Sequence, residues 1–302
     1  MSPSGRAGVG TRAAGRRVVA ALDRARAWLD LHRESLLPDA TLFWRLSVEV
    51  EQRRTDEAER WLPPPGPSTC ELLLSSDYLT LARRASALLG RLPLSGTSYF
   101  RPRCGRVPLG IRSSRLAPSI AVDVALINRA LAEAASGTMS APTERWSRDH
   151  RSSTGYTLTH QLLALVLRAA ARGDSALPAR DVPVAEKVLA ELYRELGTTY
   201  VDLTAQRVAC LALAGCPPDV LGPGIRWLVH RQARVGDWDY FETRADAYET
   251  VERVHTGRSP LLRPPLWKER RDPMLEASRI ELAHRGHATA VAAAALACFV
   301  SR

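Results

Sequence analysis

The stretch GYTLTHQLLALVL, residues 155–167, decides the fold. Leu162, Leu163, Ala164, Leu165, Val166 and Leu167 leave no polar face on any turn, so a helix here is buried all round. Its opening turn nevertheless holds Tyr156, Thr157, Thr159 and His160. Two later segments share the pattern, DLTAQRVACLAL from Asp202 and HATAVAAAALAC from His287. In each, a polar residue (Thr157, Asp202 or His287) is followed two positions on by a threonine, and then by small or aliphatic side chains. Thr159, Thr204 and Thr289 stand 45 and 85 residues apart, which fits one and two steps of a repeat of about 43 residues.

Between these segments lie VPVAEKVLAELYREL (182–196) and PDVLGPGIRWLVHRQ (218–232), each with one apolar stripe and one charged face. This alternation predicts helical hairpins with apolar inner helices and amphipathic outer ones. Closed into a ring, such hairpins make an α/α toroid. The expected fold is therefore all-α, a complete or incomplete toroid. The amino ends of its inner helices gather at one mouth, where unpaired amides and positive dipole ends favour caps, anions or chemistry.

Composition agrees with a helical globular chain. Of 302 residues, 45% are hydrophobic and 25% charged, with Ala and Leu, both strong helix formers, prominent. The net charge is +10, and Lys187 and Lys268 are the only lysines among 42 basic side chains; the arginine excess is the pattern expected of a GC-rich genome, with a functional demand for guanidinium as the alternative. Arg83, Arg84, Arg91, Arg101, Arg103, Arg106, Arg112 and Arg115 form a basic band (83–115) without a single acid. It reads as a solvated face, or as a docking site for phosphate or an acidic partner. It lacks the interleaved aromatics of a nucleic-acid module, so a nucleic-acid partner is not expected. The five cysteines are scattered without zinc spacing. No apolar leader or 18-residue apolar run is present, so a cytoplasmic location without a membrane partner is expected.

Four regions are expected. Residues 1–15 read as a disordered tail. Residues 16–136 hold the amino-terminal hairpins, with helices at Arg16–Arg33, from Pro38 towards Trp61, at about 70–90 and from Ser119 to Ala135, and an irregular proline-rich connection at 91–118. Residues 137–154, GTMSAPTERWSRDHRSST, read as a linker or a loop over the mouth. Residues 155–302 carry the toroid repeats.

IRWLVHRQARVGDWDYF (225–241), with Trp227, Leu228, Gln232, Gly236, Asp237 and Trp238 in order, resembles the repeat of squalene/hopene cyclases and protein prenyltransferase β-subunits. GYTLTHQLLAL and HATAVAAAALACF resemble, more closely, an uncharacterised actinobacterial family with a Tyr-x-Leu-Thr-His motif, though Ala288 replaces its threonine after His287. The resemblance covers roughly 154–302. It implies a toroid, and by analogy with toroid enzymes a cytoplasmic enzyme of actinobacterial specialised metabolism acting on a small molecule or modified peptide. The alternative is a non-catalytic accessory protein that binds a ligand or partner through the cavity or the basic band.

Within that expectation His160 stands where the other repeats have Ala205 and Ala290. It reads either as a satisfied core histidine or as a general acid or base. His287 is a second acid, base or ligand, since histidine is a poor helix cap. Asp202 either caps its helix or orients and charge-balances the imidazoles, and Tyr156 supplies a hydroxyl. Two imidazoles and a carboxylate (His160, His287, Asp202) are a metal-ligand set by type, so whether a metal or other cofactor is bound stays open. Asp237 and Trp238 are expected to lock adjacent repeats together. His150, Arg148 and His255 are placed in loops over the mouth. No glycine loop or hydrolase motif names a reaction.

Overall fold

A computed structural model describes residues 7–33, 36, 38–52, 124–174, 177–196, 201–238 and 273–300. Every regular element among them is a helix: α1 (Ala7–His32), α2 (Pro38–Gln52), α3 (Val124–Ala135), α4 (Ala141–Arg148), α5 (Gly155–Arg172), α6 (Val182–Glu195), α7 (Val201–Leu213), α8 (Pro218–Arg231) and α9 (Pro273–Val300). The all-α expectation holds. None of the described helices is long and apolar enough to cross a membrane.

The three repeat segments become α5, α7 and α9, and they form the buried layer. α7 packs against both α5 and α9. Every residue of α7 is buried, as is every residue of α9 from Gly286 to Cys298. A helix with this pattern has no solvent face to present. α6 and α8 cover it from outside. α6 buries Val184, Ala185, Val188, Leu189 and Leu192 and leaves Glu186 and Lys187 half-buried. α8 packs on α7, α9 and α1, and Gly224 lets it come close: a Cβ there would lie 2.7 Å from Cγ2 of Val208. α1 and α2 pack on α9, α3 packs on α5, and α4 lies against both α3 and α5.

Three details differ from the expectation. α1 begins at Ala7 and not at Arg16. Its buried stripe runs through Val18, Ala21, Leu22, Ala25, Trp28 and Leu29, whereas Val19 and Leu31 face solvent. The polar stretch 137–154 is no plain linker, since it contains α4. Its polar side chains are consumed internally. The Glu133 carboxylate accepts from the Ser140 amide at 2.7 Å and from the hydroxyls of Ser140 and Thr143. Arg148 and Arg168 converge on the buried Asp181 at 2.7 and 2.6 Å. The arginine band at 83–115 and the helix expected at 70–90 lie outside the described residues.

The turn 232–238 locks α8 to its neighbours. Gln232 donates from Nε2 to the carbonyls of Ala21 and Gly236, both at 2.8 Å, and accepts from Arg24 at 2.6 Å. Gly236 has φ of +105°, and a Cβ on it would strike the Arg24 carbonyl, so only glycine fits. Trp238 is fully buried and donates from its indole to the Leu228 carbonyl at 2.8 Å. Its amide donates to Thr289 Oγ1 at 3.2 Å, and Asp237 pairs with Arg285 of α9. Asp237 and Trp238 thus tie repeats together, as their place in the sequence implies.

Candidate functional site

Asp202 sits in the first turn of α7, where the helix dipole favours a negative charge. Its carboxylate is fully buried. Gln206 follows one turn later on the same face and donates from Nε2 to Asp202 Oδ2 at 3.3 Å. The packing of α9 on α7 then brings in His287, whose Nε2 lies 3.2 Å from Asp202 Oδ1 and 3.4 Å from Gln206 Nε2. On the other flank Thr159 of α5 reaches Gln206 Oε1 at 3.2 Å. The Phe43 ring of α2 stands edge-on to His287, centroids 6.0 Å apart. The three helices of the buried layer therefore meet in one polar cluster. His287 keeps an exposed edge, with 11% of its side chain accessible.

His287 Nε2 lies between a carboxylate oxygen and an amide nitrogen. Asp202 Oδ1 stands 3.2 Å away, within ion-pair reach of an imidazolium. A lone pair on Nε2 accepts from the Gln206 amide, whose second hydrogen serves Asp202 Oδ2. The Gln206 amide oxygen lies 3.2 Å from Thr159 Oγ1, whose single proton is shared with the nearer Tyr156 carbonyl at 2.8 Å. An imidazole beside a buried carboxylate is a candidate for proton transfer.

Tyr156 and His160 join through the backbone. The Tyr156 carbonyl accepts from Thr159 Oγ1 at 2.8 Å and from His160 Nδ1 at 2.7 Å. A carbonyl only accepts, so the His160 proton sits on Nδ1. The amino end of α5 that carries both residues is anchored from α6: Glu191 Oε2 accepts from the Gly155 amide at 3.0 Å and from Arg207 at 2.8 Å. Glu191 and Arg207 are both buried. Arg207 also pairs with Glu195 at 2.7 Å, so it bridges two carboxylates of α6.

Two expectations need correction. His287 is not at a helix start, because α9 begins at Pro273, so orphan amides and the dipole end do not act on it. Among the described residues, no group of three His, Cys, Asp or Glu side chains could hold a metal ion. The His160–His287–Asp202 ligand set is therefore not assembled: Asp202 and His287 meet, while His160 binds the Tyr156 carbonyl. Burial, with Cys298 adding to it, pushes the Cys210 thiol up to about 12, as suits a core residue rather than a thiolate ligand. Arg148 is held by Asp181 and Glu144, and His150 lies on the Arg148 carbonyl; His255 lies outside the described residues. Gln206 and Phe43 were not singled out from the sequence. The i, i+4 spacing from Asp202 was the available signal for Gln206, but nothing local marks Phe43 as a wall for His287. Compared with known protein families, curated proteins and solved structures, the chain shows no match.

Proposed function

We propose that the chain closes into an α/α toroid and that the Asp202–His287 pair is its proton-transfer centre. On this reading the protein is a cytoplasmic enzyme of specialised metabolism acting on a small molecule or a modified peptide. The observation that carries it is His287 Nε2, poised between Asp202 Oδ1 at 3.2 Å and the Gln206 amide at 3.4 Å. His287 is the acid or base. Asp202 stabilises its imidazolium, and the Gln206 amide stabilises its neutral form. The toroid rests on the repeat, on the buried inner and amphipathic outer helices, and on the cyclase-like Gln232–Trp238 turn. His160 and Tyr156, one turn from Thr159, are the second acid–base group and a hydroxyl donor at the same mouth.

The test replaces His287 by Gln and Asp202 by Asn in a producing strain whose own copy is deleted. Metabolite profiles identify the compound that the wild-type copy restores. Positioned proton transfer contributes roughly 10²–10⁴-fold, so the His287→Gln variant is expected to restore almost none at normal protein abundance. Full restoration by a folded His287→Gln variant removes the proposal. Restoration that tracks only lowered protein abundance assigns the cluster to structure.

A further inference from the structure

Lys187 is one of two lysines among 42 basic side chains, so an ammonium at this position asks for a chemical reason. It projects from α6 onto the turn that leaves α4 and feeds α5. Its Nζ donates to three backbone carbonyls, of His150 at 2.5 Å, Ser153 at 2.7 Å and Arg151 at 3.2 Å. These carbonyls lie between α4 and α5, outside the hydrogen-bond ladder of either helix. Gln161 of α5 holds the same turn from inside, donating to the Trp146 carbonyl at 2.6 Å and to Ser153 Oγ at 2.8 Å. Three oxygens converging on one point match the three donors of an ammonium. A guanidinium spreads its five donors across a plane and cannot direct three of them to one point.

We propose that the turn 149–154 is a carbonyl nest for a monovalent cation, filled by the chain's own ammonium. By fixing this turn, Lys187 sets where α5 begins and hence where Tyr156 and His160 stand. This does not depend on whether the Asp202–His287 pair performs chemistry.

The test measures thermal unfolding of the full chain in choline, potassium and ammonium chloride at equal ionic strength. Lys187→Ala opens the nest. In choline its Tm is expected to fall by roughly 5 °C or more, from the loss of charge-assisted hydrogen bonds. Potassium or ammonium is expected to restore most of that loss, while the wild type shows no matching preference. Lys187→Arg, which keeps the charge, is expected to lose as much and to gain nothing from either cation. Equal Tm values for Lys187→Ala in all three salts overturn the proposal, and so does a Lys187→Arg variant as stable as the wild type. Should Lys187→Ala fail to fold in choline, recovery only in potassium or ammonium supports the nest, and failure in all three salts overturns it.

Discussion

Glu133 gathers more donors than any other carboxylate described. Burial alone would raise its pKa, but hydrogen bonds from Thr143, the Ser140 amide, Arg129 and the Ser140 hydroxyl together outweigh that and hold it at about 2, below the ordinary 4.5. The carboxylate is thus favoured in the folded chain, and folding gains from it only while it is ionised. The gain is complete above the unfolded value and fades as pH falls from about 4.5 towards 2. Glu133→Gln is therefore expected to be less stable than the wild type at pH 7, with the gap narrowing steadily across that acid window. Urea midpoints of both proteins over a pH series check this; a gap that stays constant down to pH 3 contradicts it. At this scale the sequence was legible where a residue repeats. Asp202 and His287 occupy matching places in two repeat segments, and the structure puts them 3.2 Å apart. It was not legible where partners are distant, as with Glu191, which anchors Gly155 across 36 positions.

At the scale of elements, period and apolarity separated inner helices from outer ones, because burial on all sides demands a different sequence from burial on one. α4 escaped that logic. Its eight residues, APTERWSR, carry no apolar stripe, and its docking rests on ion pairs and hydrogen bonds to Glu133, Asp181 and Arg168. Polar sequence between two apolar helices therefore did not mean loop. The approach of α8 to α7 supplies a sharper test. In an exposed helix Gly→Ala gains about 0.8–1 kcal/mol of propensity. At Gly224 the added Cβ would stand 2.7 Å from Val208, itself fully buried, and overpacking costs about 1–3 kcal/mol. The clash wins, so Gly224→Ala is expected to be destabilised. Combining it with Val208→Ala, which removes the offending methyls, is expected to cost less than the sum of the two single changes. A stabilised Gly224→Ala protein in urea titration contradicts the close approach.

Among the described helices, the layer of α5, α7 and α9 touches every other one. α9 meets α1, α2, α7 and α8, and α7 meets α5, α6, α8 and α9. α4 meets only α3 and α5 among the closer helix pairs, and its ties are charged and partly exposed. Opening α7 exposes the core on every side at once and breaks the Glu191–Arg207 pair and the Asp202 cluster with it. Opening α4 exposes less apolar surface, for it fully buries only Thr143 and Ser147 and lays the half-buried Trp146 against the core. Local opening energies range from near zero to the full unfolding energy, and the elements with most buried contacts lie at the top. Amide exchange followed residue by residue is therefore expected to be slowest in α7 and in α9 between Ala288 and Cys298, with both approaching the rate set by global unfolding. α4 is expected to exchange by local opening, faster by at least about tenfold, which corresponds to about 1.4 kcal/mol. Equal protection in α4 and α7 would mean that the charged network docks α4 as firmly as apolar burial docks α7. The polar cluster around His287 would then lie within a single cooperative unit, with no less stable rim beside it.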